Sequence, residues 1–239
     1  MFYKAMAMSA ALVACGGNQA EPVAPTHEGE PAETEAAQRA RKGGPAVQNE
    51  LGEIDQKDAE RAFSAAEGAI GSCHQKGHGK IEYLAGDVAF LVRIGQDGKA
   101  RYVVIEQSTL GDRATERCMV DALMAARWPT PVGGEAEARR SLAFTPGDAR
   151  EPTPWPADKM ADAIQSKSDA IHACKKGASS TFHVTAYVQP AGKEGKIQAL
   201  GVSASSPEGF AAADCVVDAL KSAKVPSPGS YAAKVSFDL

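Results

Sequence analysis

Apolar residues recur first at helical spacing and then in alternation, and the chain runs through this order twice. Phe63, Ala66, Ile70 and Cys73 stand three or four positions apart, which predicts a helix with one apolar stripe that ends near the breakers Gly77 and Gly79. Val88, Phe90, Val92 and Ile94 then alternate along a strand, Gly95-Gln96-Asp97-Gly98 makes a turn, and Ala100 to Glu106 returns as the partner of a hairpin. Cys118, Ala122 and Ala125, flanked by Leu123 and Ala126, predict a second helix. It stops at Trp128-Pro129, where proline cannot continue the hydrogen-bond ladder. After Gly133-Gly134, Arg140, Leu142 and Phe144 alternate with Arg139, Ser141 and Ala143 in a third strand.

The second pass is shorter. Met160, Ile164, Ile171 and Cys174 mark its first helix, Phe182 to Val188 and Lys196 to Val202 its hairpin, and Ala213 to Ala223 its second helix, broken at Pro226-Ser227-Pro228-Gly229. Val235, Phe237 and Leu239 alternate in a last strand. Each pass reads α-β-β-α-β. The expected class is α+β, with two tandem modules at residues 59–146 and 158–239, each a three-stranded antiparallel sheet on two helices. Residues 147–157, bordered by Pro146 and carrying Pro152, Pro154 and Pro156, read as a stiff linker.

Cysteines sharpen the repeat. Ala69-Ile70-x-x-Cys73 and Cys118-Met-Val-Asp-Ala-Leu123 match Ala170-Ile171-x-x-Cys174 and Cys215-Val-Val-Asp-Ala-Leu220. Pairing Cys73 with Cys118 and Cys174 with Cys215 closes loops of about 40–45 residues, each worth about 4 kcal/mol in chain entropy. That is comparable to the whole stability of a small domain. A redox role for the same residues competes with this structural one, but it usually needs a Cys-x-x-Cys at a helix start, and the chain has none.

Ahead of the modules, Lys4 and the apolar run Ala5 to Ala14 precede the lipobox Leu12-Val13-Ala14-Cys15. Residues 1–14 are expected to be a lipoprotein signal peptide, with Cys15 lipidated by acyl chains such as palmitate. The run is too short to span a bilayer as a helix. Gly16 after the cysteine implies an outer-membrane protein facing the periplasm, an oxidising compartment in which disulfides persist. Residues 15–58, rich in Ala, Glu, Pro and Gly, have few large apolar side chains to bury and are expected to be a disordered leash spanning about 35–40 Å. The formal charge of −4, with acids and bases interspersed, offers no basic stripe for nucleic acid.

The first module resembles the TonB/TolA-type C-terminal domain, in particular the cysteine-bearing AgmX/PglI type at the ends of myxobacterial gliding proteins. The residues that carry the resemblance are Ile70-x-x-Cys73, Gly95-x-Asp97-Gly98, Gln107-Ser108-Thr109-Leu110, Cys118-Met-Val-x-x-Leu123 and Trp128-Pro-x-Pro131-x-Gly133-Gly134. The phrase after Trp128 lacks that family's Phe-Pro step, and the second module carries Val225 where Trp128 aligns. The resemblance implies a sheet edge that takes an extra strand from a partner. Its third strand, with Arg139, Arg140, Ser141 and Leu142, is then the expected dock, suited to an acidic, extended peptide of an envelope protein. The competing reading is that the arginines guard the edge against aggregation.

Catalytic motifs are missing. Ser203-Ala-Ser-Ser206 has no nucleophile elbow around it, and Asp121 and Asp218, the matched carboxylates, read as helix-surface residues. Cys73, His74 and His78 can be drawn as a metal or redox site, but the second module has Lys175-Lys176 where a matching histidine would stand. The expectation is a non-enzymatic, cofactor-free scaffold or binding protein, without a small-molecule substrate, in an envelope or motility-associated complex. The alternative is a periplasmic redox or metal-binding protein using Cys73, His74 and His78.

Overall fold

A computed structural model describes residues 51–239, which fall within one compact, mixed α/β unit. Asp55 caps helix α1 (Gln56–His78) by accepting from the Asp58 amide at 3.0 Å, so the end of the expected leash is corrected: Gly52 and Glu53 pair with Glu135 and Val132, and residues 56–58 are already helical. The apolar stripe of α1, Ala59, Ala62, Phe63, Ala66, Ile70 and Cys73, is buried. Strands β1 (Gly86–Ile94) and β2 (Ala100–Ser108) form the expected hairpin, and β3 (Ala136–Phe144) pairs antiparallel on the other side of β1, giving the order β2-β1-β3. Helix α2 (Arg113–Ala125) is capped by Asp112. Beyond its end, the Trp128 indole donates to the Leu123 carbonyl at 3.2 Å and meets the Phe63 ring edge-on at 4.8 Å. Val88, Phe90, Val92 and Ile94 are fully buried in the core these helices share with the sheet.

The C-terminal half contains β4 (Thr153–Trp155), a 3-10 turn (Ala157–Met160), α3 (Ala161–Ser166), α4 (Ser168–Lys175), β5 (His183–Ala191), β6 (Glu194–Ser203), α5 (Pro207–Lys221), β7 (Val225–Pro226) and β8 (Ala233–Asp238). Two expectations need correction here. The first helix is broken into three pieces, the last break falling at Lys167, whose φ of −115° and ψ of 9° leave helical geometry. The sheet has five strands rather than three, in the order β4-β8-β5-β6-β7.

The fourth strand comes from the expected linker. Thr153–Trp155 lies parallel to Ala233–Val235, and the Thr153 amide donates to the Ala232 carbonyl at 2.8 Å. Prolines are tolerated there because an outermost strand leaves one side of its backbone unpaired. Residues 147–157 are therefore partly sheet rather than spacer alone. The expected disulfides are both present: Cys73–Cys118 ties α1 to α2 with Cα atoms 5.7 Å apart, and Cys174–Cys215 ties α4 to α5 with Cα atoms 5.5 Å apart. Among the described residues no helix is long and apolar enough to cross a membrane.

Candidate functional site: the outer edge of β3

Each sheet has two outer edges whose backbone groups must find partners or face water. On β2, the Ile105 carbonyl accepts from the Ala204 amide at 3.0 Å, so the C-terminal half lies against this edge. On β6, one end is paired by β7, and the Val202 amide and carbonyl at the other end meet Glu116 and Arg113. On β8, residues Ala233–Val235 carry β4. The edge of β3 differs. Glu53 bridges to Val132 and the Gly52 amide donates to the Glu135 carbonyl at 2.8 Å, but these contacts stop short of the strand. Among the described residues no backbone group pairs with the outer side of Ala136–Phe144.

Two observations fix which groups point outward. The Glu135 carbonyl faces Gly52, away from β1. Asp87, opposite Ala143, directs its amide and carbonyl to Thr109 on the β2 side, so Ala143 turns its own groups away from β1. Strict alternation between these points, with no bulge in the β1–β3 register, puts the N–H and C=O of Glu137, Arg139, Ser141 and Ala143 on the outer side. Beside this edge a recess of about 390 Å³ opens over the first turns of α1; Ile54, Ala59, Phe63 and Ala138 supply its apolar lining, and Glu60 and Arg140 are among its polar groups. Leu51 and Val132, 54% and 76% exposed, lie where the chain enters the edge.

Arg139 and Arg140 are not free cations. Arg139 reaches back across β1 to Glu106 at 3.2 Å and also pairs with Glu137 at 3.1 Å, while Arg140 turns onto α1, 2.5 Å from Glu67 and 6.0 Å from the Phe63 ring centre. Neither side chain projects past the edge. Ser141 is exposed, and half-buried Leu142 is opposite Val88 on the helix-facing side.

The other predicted residues fall elsewhere. Cys15 lies outside the described residues. Cys73 is consumed by its disulfide, His74 Nε2 donates to the Leu84 carbonyl at 2.9 Å with its ring stacked 4.7 Å from Phe144, and His78 Nε2 donates to the Pro146 carbonyl at 3.3 Å. Both imidazoles are thus engaged as backbone donors, and among the described residues no group of three or more His, Cys, Asp or Glu is placed to hold a metal ion. Asp121 and Asp218 are exposed on their helices.

Sequence reasoning missed the seam between the halves. Arg113 is buried there: its Nε is 2.9 Å from Asp214, its other nitrogens donate to the Val202 and Phe210 carbonyls at 3.4 and 2.9 Å, and its guanidinium lies 4.1 Å over the Phe210 ring. One turn on, Glu116 is fully buried, accepting from the Ser108 hydroxyl at 2.7 Å and the Val202 amide at 3.2 Å. Burial pushes its carboxyl above the usual range, against the opposing pull of Ser108 and Arg113. No protein-family model matches this chain, and no curated protein or solved structure shows significant similarity to it.

Proposed function

We propose that this protein is a non-catalytic, lipid-anchored envelope protein, built from two fused copies of an α-β-β-α-β module, that captures an extended segment of an envelope partner along β3. The observation that carries this reading is the nine-residue strand Ala136–Phe144, whose outward backbone groups have no partner among the described residues while the other three edges are at least partly covered. Added strands bind through main-chain hydrogen bonds, with alternate side chains setting specificity.

The retracted arginines favour docking over guarding, because both are paired within the fold and neither covers the outward backbone groups of Glu137, Arg139, Ser141 and Ala143. They also redirect the expected specificity. With Arg139 and Arg140 already matched by Glu106, Glu137 and Glu67, the partner is selected by an apolar side chain fitting beside Ile54, Phe63 and Ala138 rather than by acidity. The resemblance to TonB/TolA-type domains and the lipobox at Cys15 support the envelope setting.

The test is a photo-crosslinker at exposed Ala143 in intact cells. We expect one discrete adduct, lost in Ser141→Pro, which removes an outward donor without breaking the β1–β3 ladder, and kept in Ser141→Ala. Equal adducts in both variants, each confirmed to be folded, would refute strand capture. For the anchor, Cys15→Ser should leave an unprocessed precursor; processing and membrane partition like the parent's would refute lipidation.

A further inference from the structure

We propose that Glu116 is a proton-operated latch between the two halves of the unit: protonated, it fits the seam as a neutral hydrogen-bonding group, and ionised, it loosens the seam. This inference is independent of strand capture at β3. The geometry is that of a group with no room to escape. A Cβ placed on Gly201 would come within 2.4 Å of Glu116 Oε1, and one on Gly111 within 2.9 Å of both Thr185 and Tyr187. The halves therefore close on Glu116 with only glycine between backbone and carboxylate.

The surroundings cannot rehydrate an ionised carboxylate. From β2 the Ser108 hydroxyl faces it, itself held as acceptor by the Leu110 amide at 3.1 Å. From β6 come the Val202 amide and Gly201, with no charge. From β5 comes Tyr187, a phenol that burial pushes up to about 12 and so keeps neutral. Its own helix contributes Asp112, which opposes ionisation, and Arg113, which favours it, but the Arg113 donors are turned to Asp214, Val202 and Phe210. Arg117 on the same helix is likewise committed to Asp214 of α5, at 2.6 Å.

The sign follows from the raised carboxyl. A group held above its unfolded value stabilises fully below the ordinary carboxylate range, and its contribution is lost as pH rises through the folded value. One proton gives at most about a tenfold change in the closed-to-open ratio per pH unit.

The test is amide hydrogen exchange on the full chain across pH, corrected for intrinsic rates. It compares Ala204, which donates across the seam to Ile105, with amides of the β1–β3 ladder. In the parent, Ala204 protection should fall relative to the ladder by up to about tenfold per pH unit between the ordinary carboxylate range and the raised folded value and level off above it, and in Glu116→Gln it should stay flat. Parallel profiles in the two proteins would overturn the latch, and so would equal losses at seam and ladder, which would make Glu116 an ordinary core group. If Glu116→Gln does not fold, the carboxyl carbon shift of Glu116 in the parent decides. A step above the ordinary range that coincides with loss of Ala204 protection sustains the proposal, and no such step overturns it.

Discussion

Removing the Arg113 side chain should uncouple the halves more than any surface ion pair would suggest. The Asp214 carboxylate is 42% exposed, so solvent screens that pair and limits it to less than about 1 kcal/mol. The Val202 carbonyl is a larger matter, because Arg113→Ala removes its donor at 3.4 Å and a buried acceptor without a partner costs about 1–3 kcal/mol, whereas the Phe210 carbonyl lies within α5 and keeps its intrahelical amide. The lost stacking on Phe210 adds about 0.5–1 kcal/mol. The expected total is about 3 kcal/mol. For a unit of this size that lowers Tm by about 6–12 °C in differential scanning calorimetry. Asp214→Asn, which removes only the exposed charge, should cost about 0.5 kcal/mol. An Arg113→Ala shift within about 2 °C would refute the account. So would equal costs for the two variants, since the charge pair and not carbonyl capture would then hold the seam.

Reduction of both disulfides should lower thermal stability by about 4 kcal/mol for each bridge, measured by calorimetry with and without a phosphine reductant. Non-reducing peptide mapping should return only Cys73–Cys118 and Cys174–Cys215. Two glycine variants should move in opposite directions. A Cβ on Gly68, in the middle of exposed α1 surface, meets nothing within 4 Å, so Gly68→Ala should stabilise by about 0.5–1 kcal/mol. Gly201→Ala pushes into Glu116 Oε1 and should destabilise by about 1–3 kcal/mol; urea unfolding midpoints that rank the two the other way would contradict the seam geometry.

The regular elements were legible where periodicity reports burial directly. The stripe from Phe63 to Cys73 and the alternation from Val88 to Ile94 face one core and carry no competing signal. β4 was not legible, because Pro152, Pro154 and Pro156 suppress every strand signal, and the strand exists only through the neighbouring edge of β8. Glu116 was missed because a helical glutamate ordinarily faces water. A signal was nonetheless present: it stands in phase with Met119, Val120 and Leu123, three, four and seven positions on, and therefore on the buried stripe. At β3, the alternation located the strand and its sides, but whether the arginines would project or fold back depended on Glu106 and Glu67, brought near only by the tertiary fold.

The hairpin glycines tie the proposed duplication to the division of labour between edges. In the first half the Trp128 amide donates to the Gly98 carbonyl at 3.1 Å, and a Cβ on Gly98 would lie 2.7 Å from the Trp128 carbonyl. In the second, Val225 pairs with Gly195, and a Cβ on Gly195 would lie 2.4 Å from the Pro226 carbonyl. Both glycines thus serve one purpose, admitting the backbone that follows the second helix across the start of the hairpin's return strand. Val225 replaces Trp128 without abolishing this crossing, because the crossing is a main-chain contact and needs only the glycine. What separates the halves is the chain that reaches each last strand from outside. Gly52 and Glu53 pair with Val132 and Glu135 and then turn into α1, leaving β3 uncovered by any described residue, whereas Thr153–Trp155 runs onto β8 itself. An ancestral edge available twice is on this reading kept open once, and the second copy is free to act as the buttress that covers β2 and seals Glu116 into the seam.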